Sequence, residues 1–124
     1  MNVIATDQAP AAIGPYSQAV QAAGFLFCSG QIPLDPATGE LVRGDIQRET
    51  EQVMENLRAV LAAAGCGFAQ VLRTTIYLVD MADFPAVNEV YGRYFADTKP
   101  ARASVAVAAL PKGARVEIDA VAAV

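Results

Sequence analysis

The chain has 124 residues, of which 54% are hydrophobic and 18% are charged, and its formal net charge is -4. This length and apolar content are typical of one globular domain spanning residues 1–124, and they exclude a chain that is disordered throughout. The 9 Lys and Arg residues are scattered and outnumbered by 13 Asp and Glu residues, so we expect no nucleic-acid partner.

The rarest residue types narrow the chemistry further. Histidine is absent, which excludes Ser-His-Asp and Cys-His catalysis and histidine-based metal sites. Cys28 and Cys66 are too few for a disulfide framework or a four-cysteine metal site. The first residues lack the pattern of a signal peptide, and no apolar run approaches the roughly 20 residues of a membrane-spanning helix. We therefore expect a cytoplasmic protein that holds no metal and contacts no membrane.

The first third of the chain predicts strands. Residues 1–5 are expected to form a short edge strand. Residues 17–22 and 25–29 are rich in alternating or dense apolar side chains, and Ala23 and Gly24 form a plausible turn between them. These features predict a β-hairpin, followed by a turn at residues 35–39 (DPATG).

The middle of the chain predicts a long helix. Asp45 is a suitable N-cap, and Gly65 is a suitable stop. Between them, apolar residues recur at helical spacing at Ile46, Val53, Met54, Leu57, Val60, Leu61 and Ala64. Such an amphipathic helix needs an apolar surface to lie on, and a sheet is the expected one.

A strand and a second helix follow. Residues 71–79 (VLRTTIYLV) are rich in β-branched and aromatic side chains, which is typical of a central strand. Asp80 or Asp83 is predicted to cap a helix whose apolar stripe comprises Phe84, Val87, Val90, Tyr91 and Phe95.

The last quarter predicts two further strands, residues 101–108 and 115–121, joined as a hairpin around residues 110–113. The predicted order is β-β-α-β-α-β-β with possible short extra strands: an α+β fold with one mixed sheet and two helices packed on one face. No helix remains to cover the other face of the sheet. We therefore expect a homo-oligomer.

The predicted hairpin would bring opposite charges together. Its register places Arg102 and Ser104 on one sheet face with Glu117, Asp119 and, by strand alternation, Arg115. A guanidinium can bind a carboxylate with two parallel hydrogen bonds, and a partly buried Glu can activate water. An ordinary cross-strand Arg-Glu salt bridge without chemistry is the competing interpretation.

Other polar residues lie beside turns or inside a helix. Tyr16, Ser29 and Gly30 could line a pocket or supply a hydroxyl and a backbone N–H group, although ordinary turn chemistry explains them equally well. Asn88, among the apolar positions of the second helix, is expected to bond backbone rather than to react. Cys28 is expected to be inert packing.

Several segments together resemble one family. GPYSQAV (14–20), SGQIPLDPATGE (29–40), RTTIYLVDMADF (73–84) and PARASVAVAALPKGARVEIDAVA (100–122) resemble the RidA family, also called the YjgF family. The resemblance implies a chorismate-mutase-like fold and a homotrimer with clefts between subunits. It also implies a 2-iminobutanoate/2-iminopropanoate deaminase. Such an enzyme hydrolyses enamine and imine products of PLP-dependent dehydratases to 2-oxo acids and ammonia, without a metal or organic cofactor.

The same resemblance implies roles for individual residues. Arg102 matches the carboxylate-binding arginine and Glu117 the water-orienting glutamate of the family. Residues that line or support the cleft match at Tyr16, Ser29, Gly30 and Asn88. Ser104 is also expected to contribute to substrate binding. It stands where the family often has cysteine, so thiol chemistry is not expected at this position.

Three other functions stay open at this level. The cleft could bind 2-oxo acids or other small carboxylates without catalysis. The names endoribonuclease and translation inhibitor are attached to the family, but the acidic composition and absent histidine argue against RNA cleavage. A chaperone-like surface role is neither supported nor excluded.

Overall fold

A computed structural model describes all 124 residues. Six strands form one mixed sheet, and two helices pack against it, as the sequence predicts. In chain order the elements are β1 (Asn2–Ile4), β2 (Ala19–Ala22), β3 (Phe25–Gln31), α1 (Ile46–Ala63), β4 (Val71–Leu78), α2 (Phe84–Tyr94), β5 (Ala101–Ala106) and β6 (Val116–Ala123). The order across the sheet is β1-β2-β3-β6-β4-β5.

The predicted first hairpin is confirmed. Ala22 of β2 lies opposite Phe25 of β3, so the turn has only two central residues. Ala23 and Gly24 have φ of 55° and 83°, the pair of positive values that a tight hairpin turn with the right-handed twist of its strands requires. β1 pairs antiparallel with β2 and forms one edge of the sheet.

Both helices lie on the same face of the sheet, over one apolar core. The Asp45 carboxylate accepts a hydrogen bond of 2.8 Å from the Arg48 N–H group and so caps α1 as predicted. Asp80 caps a short 3₁₀ turn, and Asp83 precedes α2 without a side-chain cap bond. The buried Thr74 hydroxyl of β4 lies 2.7 Å from the Tyr91 hydroxyl, which ties α2 to the sheet.

The predicted hairpin between the last two strands is wrong. β5 pairs parallel with β4, whereas β6 lies between β3 and β4 and is antiparallel to both. The burial of the two strands explains this order. Every second residue of β6, from Val116 to Ala122, is buried, which suits a central strand, whereas no residue of β5 is buried, which suits an edge.

The second face of the sheet is uncovered in the protomer. It exposes Phe25 and Phe27 on β3, Val3 on β1 and Val105 on β5, with exposed fractions between 40% and 55%. A face this apolar is unusual on a small monomer. Neither α1 nor α2 combines the length and the apolar character of a membrane-spanning helix.

Candidate functional site

Arg102 lies on the free edge strand β5, on the side of the sheet that carries the helices. Its register partner is Thr74, which bonds Tyr91 of α2. The Arg102 Nη1 atom donates a hydrogen bond of 2.6 Å to Asn88 Oδ1. The guanidinium carbon lies 5.0 Å from the Tyr91 ring centroid and 5.3 Å from the Phe84 ring centroid. The two rings and the amide therefore hold this cation in place.

The partners of Arg102 leave its charge unneutralised. Asn88 and the two aromatic rings are all uncharged, and no carboxylate forms an ion pair with Arg102. The guanidinium has several N–H donors, of which only one is used. Arg102 also lines a depression of about 450 Å³ together with Asn88, Tyr91 and Lys99. The arrangement can bind an anion, and a planar carboxylate fits the guanidinium best.

Asn88 behaves differently from the sequence expectation. It was expected to bond backbone, but its side-chain oxygen accepts from Arg102. Asn88 is exposed on α2, and the guanidinium of Arg102 on the neighbouring strand β5 is within reach of its side chain.

Glu117 lies on β6, on the uncovered face of the sheet. Its register partner is Tyr77, and its side chain is half-buried. Its carboxylate makes neither a hydrogen bond nor an ion pair with any residue of the protomer. Burial raises the pKa of this carboxyl group, and the nearby Asp119 carboxylate raises it further. A carboxylate with raised proton affinity and free lone pairs is suited to accept a proton from water.

Glu117 lines a second depression, of about 470 Å³. Three residues singled out from the sequence line it: Tyr16, Ser29 and Gly30. The Ser29 hydroxyl donates 2.6 Å to the Ser17 carbonyl and its N–H group donates 3.0 Å to the Gln18 carbonyl, so this hydroxyl can only accept from a ligand. Tyr16 is 56% exposed, and its hydroxyl is free to donate.

The two depressions lie on opposite sides of one protomer, which corrects the sequence prediction. Arg102 pairs with Thr74 and Glu117 pairs with Tyr77, three residues further along β4. Because side chains alternate along a strand, this odd spacing turns the two partners to opposite faces. The predicted Arg-Glu pair on one face, whether catalytic or a salt bridge, is therefore not formed within the protomer.

Ser104 and Arg115 also do not lie on the sheet face of Glu117, where the sequence predicted them. Ser104 faces the helix side, opposite Ile76, and lines neither depression. Arg115 does not share the face of Glu117, because its guanidinium bonds the buried Glu49 carboxylate and the Gly44 carbonyl at the start of α1. Asp119 does share that face and accepts 2.9 Å from the Tyr77 hydroxyl.

The family model for Endoribonuclease L-PSP matches residues 6–124. The chain belongs to the endoribonuclease L-PSP family. This is the YjgF/RidA family, so the resemblance found in the sequence is confirmed.

Two curated proteins and one solved structure show how similar this L-PSP family member is to known relatives. Protein DfrA of Myxococcus xanthus is 64% identical over 123 residues, covering 98% of this chain and 94% of its own. The 2-iminobutanoate/2-iminopropanoate deaminase of Mus musculus is 55% identical over 121 residues, covering 98% and 90%. The solved structure of TdcF from E. coli with bound serine has a TM-score of 0.95 and 40% identity, covering 100% of this chain and 99% of its own.

Several residues of the site in this L-PSP family member were not predicted from the sequence. Phe84 and Tyr91 were assigned to the apolar stripe of α2, yet they flank Arg102. Their spacing with Asn88, at i, i+4 and i+7, would have shown one helix face carrying all three. Lys112, which lines the Glu117 depression with a φ of 58°, gave no comparable signal.

The remaining candidate groups do not form a second centre. No three Cys, Asp or Glu side chains converge as metal ligands would. Cys28 is buried, and burial raises the pKa of its thiol to about 12, so it is protonated near neutral pH and a poor nucleophile, as the sequence suggests.

Proposed function

We propose that this protein hydrolyses short 2-imino acids to 2-oxo acids and ammonia, and that it does so in clefts between copies of the chain. One observation carries the proposal: Arg102 and Glu117 each line a depression as unneutralised charges, although they lie in one small protein. A purely structural role would pair such charges with each other or with a neighbour. The deaminase name of the 55% identical mouse relative supports the choice of reaction.

The placement of the two depressions favours a shared cleft. Arg102 projects from β5, which has no strand on its outer edge, and Glu117 projects from the uncovered face of the sheet. A second copy that covers this face can bring its own edge strand beside Glu117. A closed ring of copies would repeat the contact at every interface. The homotrimer implied by the family resemblance has this property.

The proposed mechanism uses both charges on one substrate. Arg102 binds the carboxylate and holds the imine carbon in register, while Glu117 holds a water molecule beside it. The water oxygen adds to the imine carbon as Glu117 takes one of its protons. Glu117 returns this proton to the nitrogen and so completes a carbinolamine. Glu117 then transfers the hydroxyl proton of the carbinolamine to its amino group, the C–N bond breaks as the C=O bond forms, and ammonia and the 2-oxo acid leave. General acid-base help of this kind accelerates a reaction by about 10²–10⁴-fold.

The first test replaces Arg102, which is proposed to bind the substrate carboxylate. We expect Arg102→Ala to lower kcat/KM for 2-iminopropanoate by roughly 10²-fold, because charge-assisted hydrogen bonds to the substrate contribute about 1.5–3 kcal/mol each. The imine is generated by a dehydratase, and semicarbazide competes for it as a trap. Arg93→Ala is the matched control, since Arg93 is an exposed arginine of α2 that pairs with Glu51 and Glu89. Equal activity of Arg102→Ala and the control would contradict the proposal.

Carboxylate binding without catalysis is the second candidate. It is favoured by the arrangement around Arg102, which is complete without Glu117. The variant Glu117→Gln separates the two functions. An enzyme would keep its affinity for a 2-oxo acid in calorimetry but lose turnover, whereas a binding protein would show no turnover even with Glu117 intact.

A further inference from the structure

Gly30 lies directly beneath the carboxyl group of Glu117. A Cβ atom at this position would be 2.0 Å from Glu117 Oε2 and 2.8 Å from Glu117 Cδ, well inside van der Waals contact. Gly30 is not among the residues with positive φ, so other residues could adopt its backbone conformation. Any other residue here would have to displace the Glu117 carboxyl group, because that group occupies the volume in which a side chain would begin.

A β-bulge turns Gly30 toward Glu117. Cys28 pairs with Ala120 and Gln31 with Ile118, so β3 has one extra residue at this point. Cys28 and Gln31 are both buried, although they are three residues apart. The bulge therefore shifts the alternation by one position and directs Gly30 to the face of Glu117.

Ser29 holds the bulge in place. Its hydroxyl and its N–H group both bond carbonyls of the preceding loop, those of Ser17 and Gln18. No comparable bond holds Glu117, whose carboxylate has no hydrogen-bond partner in the protomer. The carboxyl group instead occupies the space that the absent side chain of Gly30 leaves open.

We propose that Gly30, presented by the bulge, is a positioning residue for Glu117 that seats the carboxylate at the place where it activates water. The inference deepens the proposed imine hydrolysis and rests on it. Gly30 acts in this way through its missing side chain, in addition to any hydrogen bond that its N–H group offers a ligand.

The test compares Gly30→Ala with a matched glycine. Gly67→Ala is the control, because a Cβ there meets only Gln70 Oε1, at 3.6 Å, and its φ of -141° suits alanine. We expect Gly30→Ala to lower kcat for 2-iminopropanoate by roughly 10²-fold, with a smaller change in KM, because displacing a catalytic group by about 1 Å has effects of that size. Gly67→Ala is expected to match the unsubstituted protein.

A measurement without substrate separates this inference from the proposed function. The Glu117 carboxyl titrates in carbon NMR of protein labelled at glutamate, and Glu117→Gln assigns its signal. We expect Gly30→Ala to lower the pKa of Glu117 toward the ordinary glutamate value, because the displaced carboxylate gains water. An unchanged pKa would overturn the positioning role. Absence of imine hydrolysis in the unsubstituted protein would instead refute the proposed function and leave this result standing.

A double variant covers the possibility that Gly30→Ala does not fold. Glu117→Ala removes the clashing carboxyl group, so Gly30→Ala combined with Glu117→Ala is expected to fold with the same Tm as Glu117→Ala alone. Failure of the double variant to fold, or a Tm lowered as much as Gly30→Ala lowers it in the Glu117 protein, would show that the alanine acts elsewhere.

Discussion

At the scale of single residues, the sequence indicated Arg102 and Glu117 as the two charged groups of the site but not the sheet face on which each lies. Arg102 and Glu117 were identified because a guanidinium and a partly buried carboxylate suit a small carboxylate substrate and a water molecule. Their faces were assigned from an assumed hairpin, and the error moved Arg102 and Ser104 to the wrong side of the sheet. Residue type is local information, whereas the face depends on which strand pairs with which.

The raised pKa of Glu117 has a consequence for stability. The pKa of Glu117 is higher in the folded protein than in the unfolded chain, where glutamates have a pKa of about 4.3. This carboxyl therefore favours folding while it is protonated, and its contribution is lost as the pH rises through the folded pKa. At pH 7 the ionised Glu117 disfavours the folded state.

We expect Glu117→Gln to raise the Tm at pH 7 while it abolishes turnover. The gain in Tm should shrink as the pH falls below about 4, where Glu117 itself is protonated. Thermal unfolding at both pH values measures the difference. A Tm at pH 7 below that of the unsubstituted protein would show that Glu117 is stabilised by the fold rather than strained by it.

At the scale of elements, local patterns were reliable wherever the structure is local. The turn at Ala23 and Gly24 and the cap at Asp45 depend on neighbouring residues, and both are confirmed. The insertion of β6 between β3 and β4 depends on pairing between segments more than 35 residues apart. The alternation of buried residues in β6 was visible in the sequence, but alternation alone does not name the partner strand.

The contact between Arg115 and Glu49 joins α1 to the start of β6. Glu49 is buried, and Arg115 also donates 2.8 Å to the Gly44 carbonyl. We expect Arg115→Met to lower the free energy of unfolding by about 2 kcal/mol, because it leaves a buried carboxylate without its charged partner. Urea unfolding measures the change.

The matched control for this contact is Arg93→Met. Arg93 forms only exposed pairs, whose loss changes stability by about 1 kcal/mol or less. Equal effects of the two substitutions would mean that the buried position of Glu49 adds nothing to the contact.

At the scale of the whole molecule, the uncovered sheet face is the feature that the sequence predicted most directly. Two helices cannot cover both faces of a six-stranded sheet, and exposed Phe25 and Phe27 mark the face that remains. The sequence did not show that Arg102 and Glu117 lie on opposite faces of the sheet. The register of β4 with β5 and β6 shows this, and the proposed cleft would therefore have to join the two residues from different copies.

A charged substitution on the uncovered face tests whether copies of the chain assemble through it. We expect Phe27→Asp to dissociate the proposed oligomer to folded monomers and to abolish turnover, since a carboxylate buried in an interface is strongly unfavourable. Ala62→Asp, on the exposed side of α1, is expected to leave the assembly intact. Analytical ultracentrifugation gives the oligomeric state of both variants, and an undissociated Phe27→Asp protein would remove this face from the interface.

The most direct measurement of the central claim mixes two variants that are each expected to retain little activity. If each cleft takes Arg102 from one copy and Glu117 from its neighbour, random oligomers of Arg102→Ala and Glu117→Ala chains contain about a quarter of intact clefts. The account therefore predicts that co-assembled variants regain about a quarter of the native imine hydrolysis. Mixed oligomers, verified by native mass spectrometry, that stay as inactive as either variant alone would contradict it.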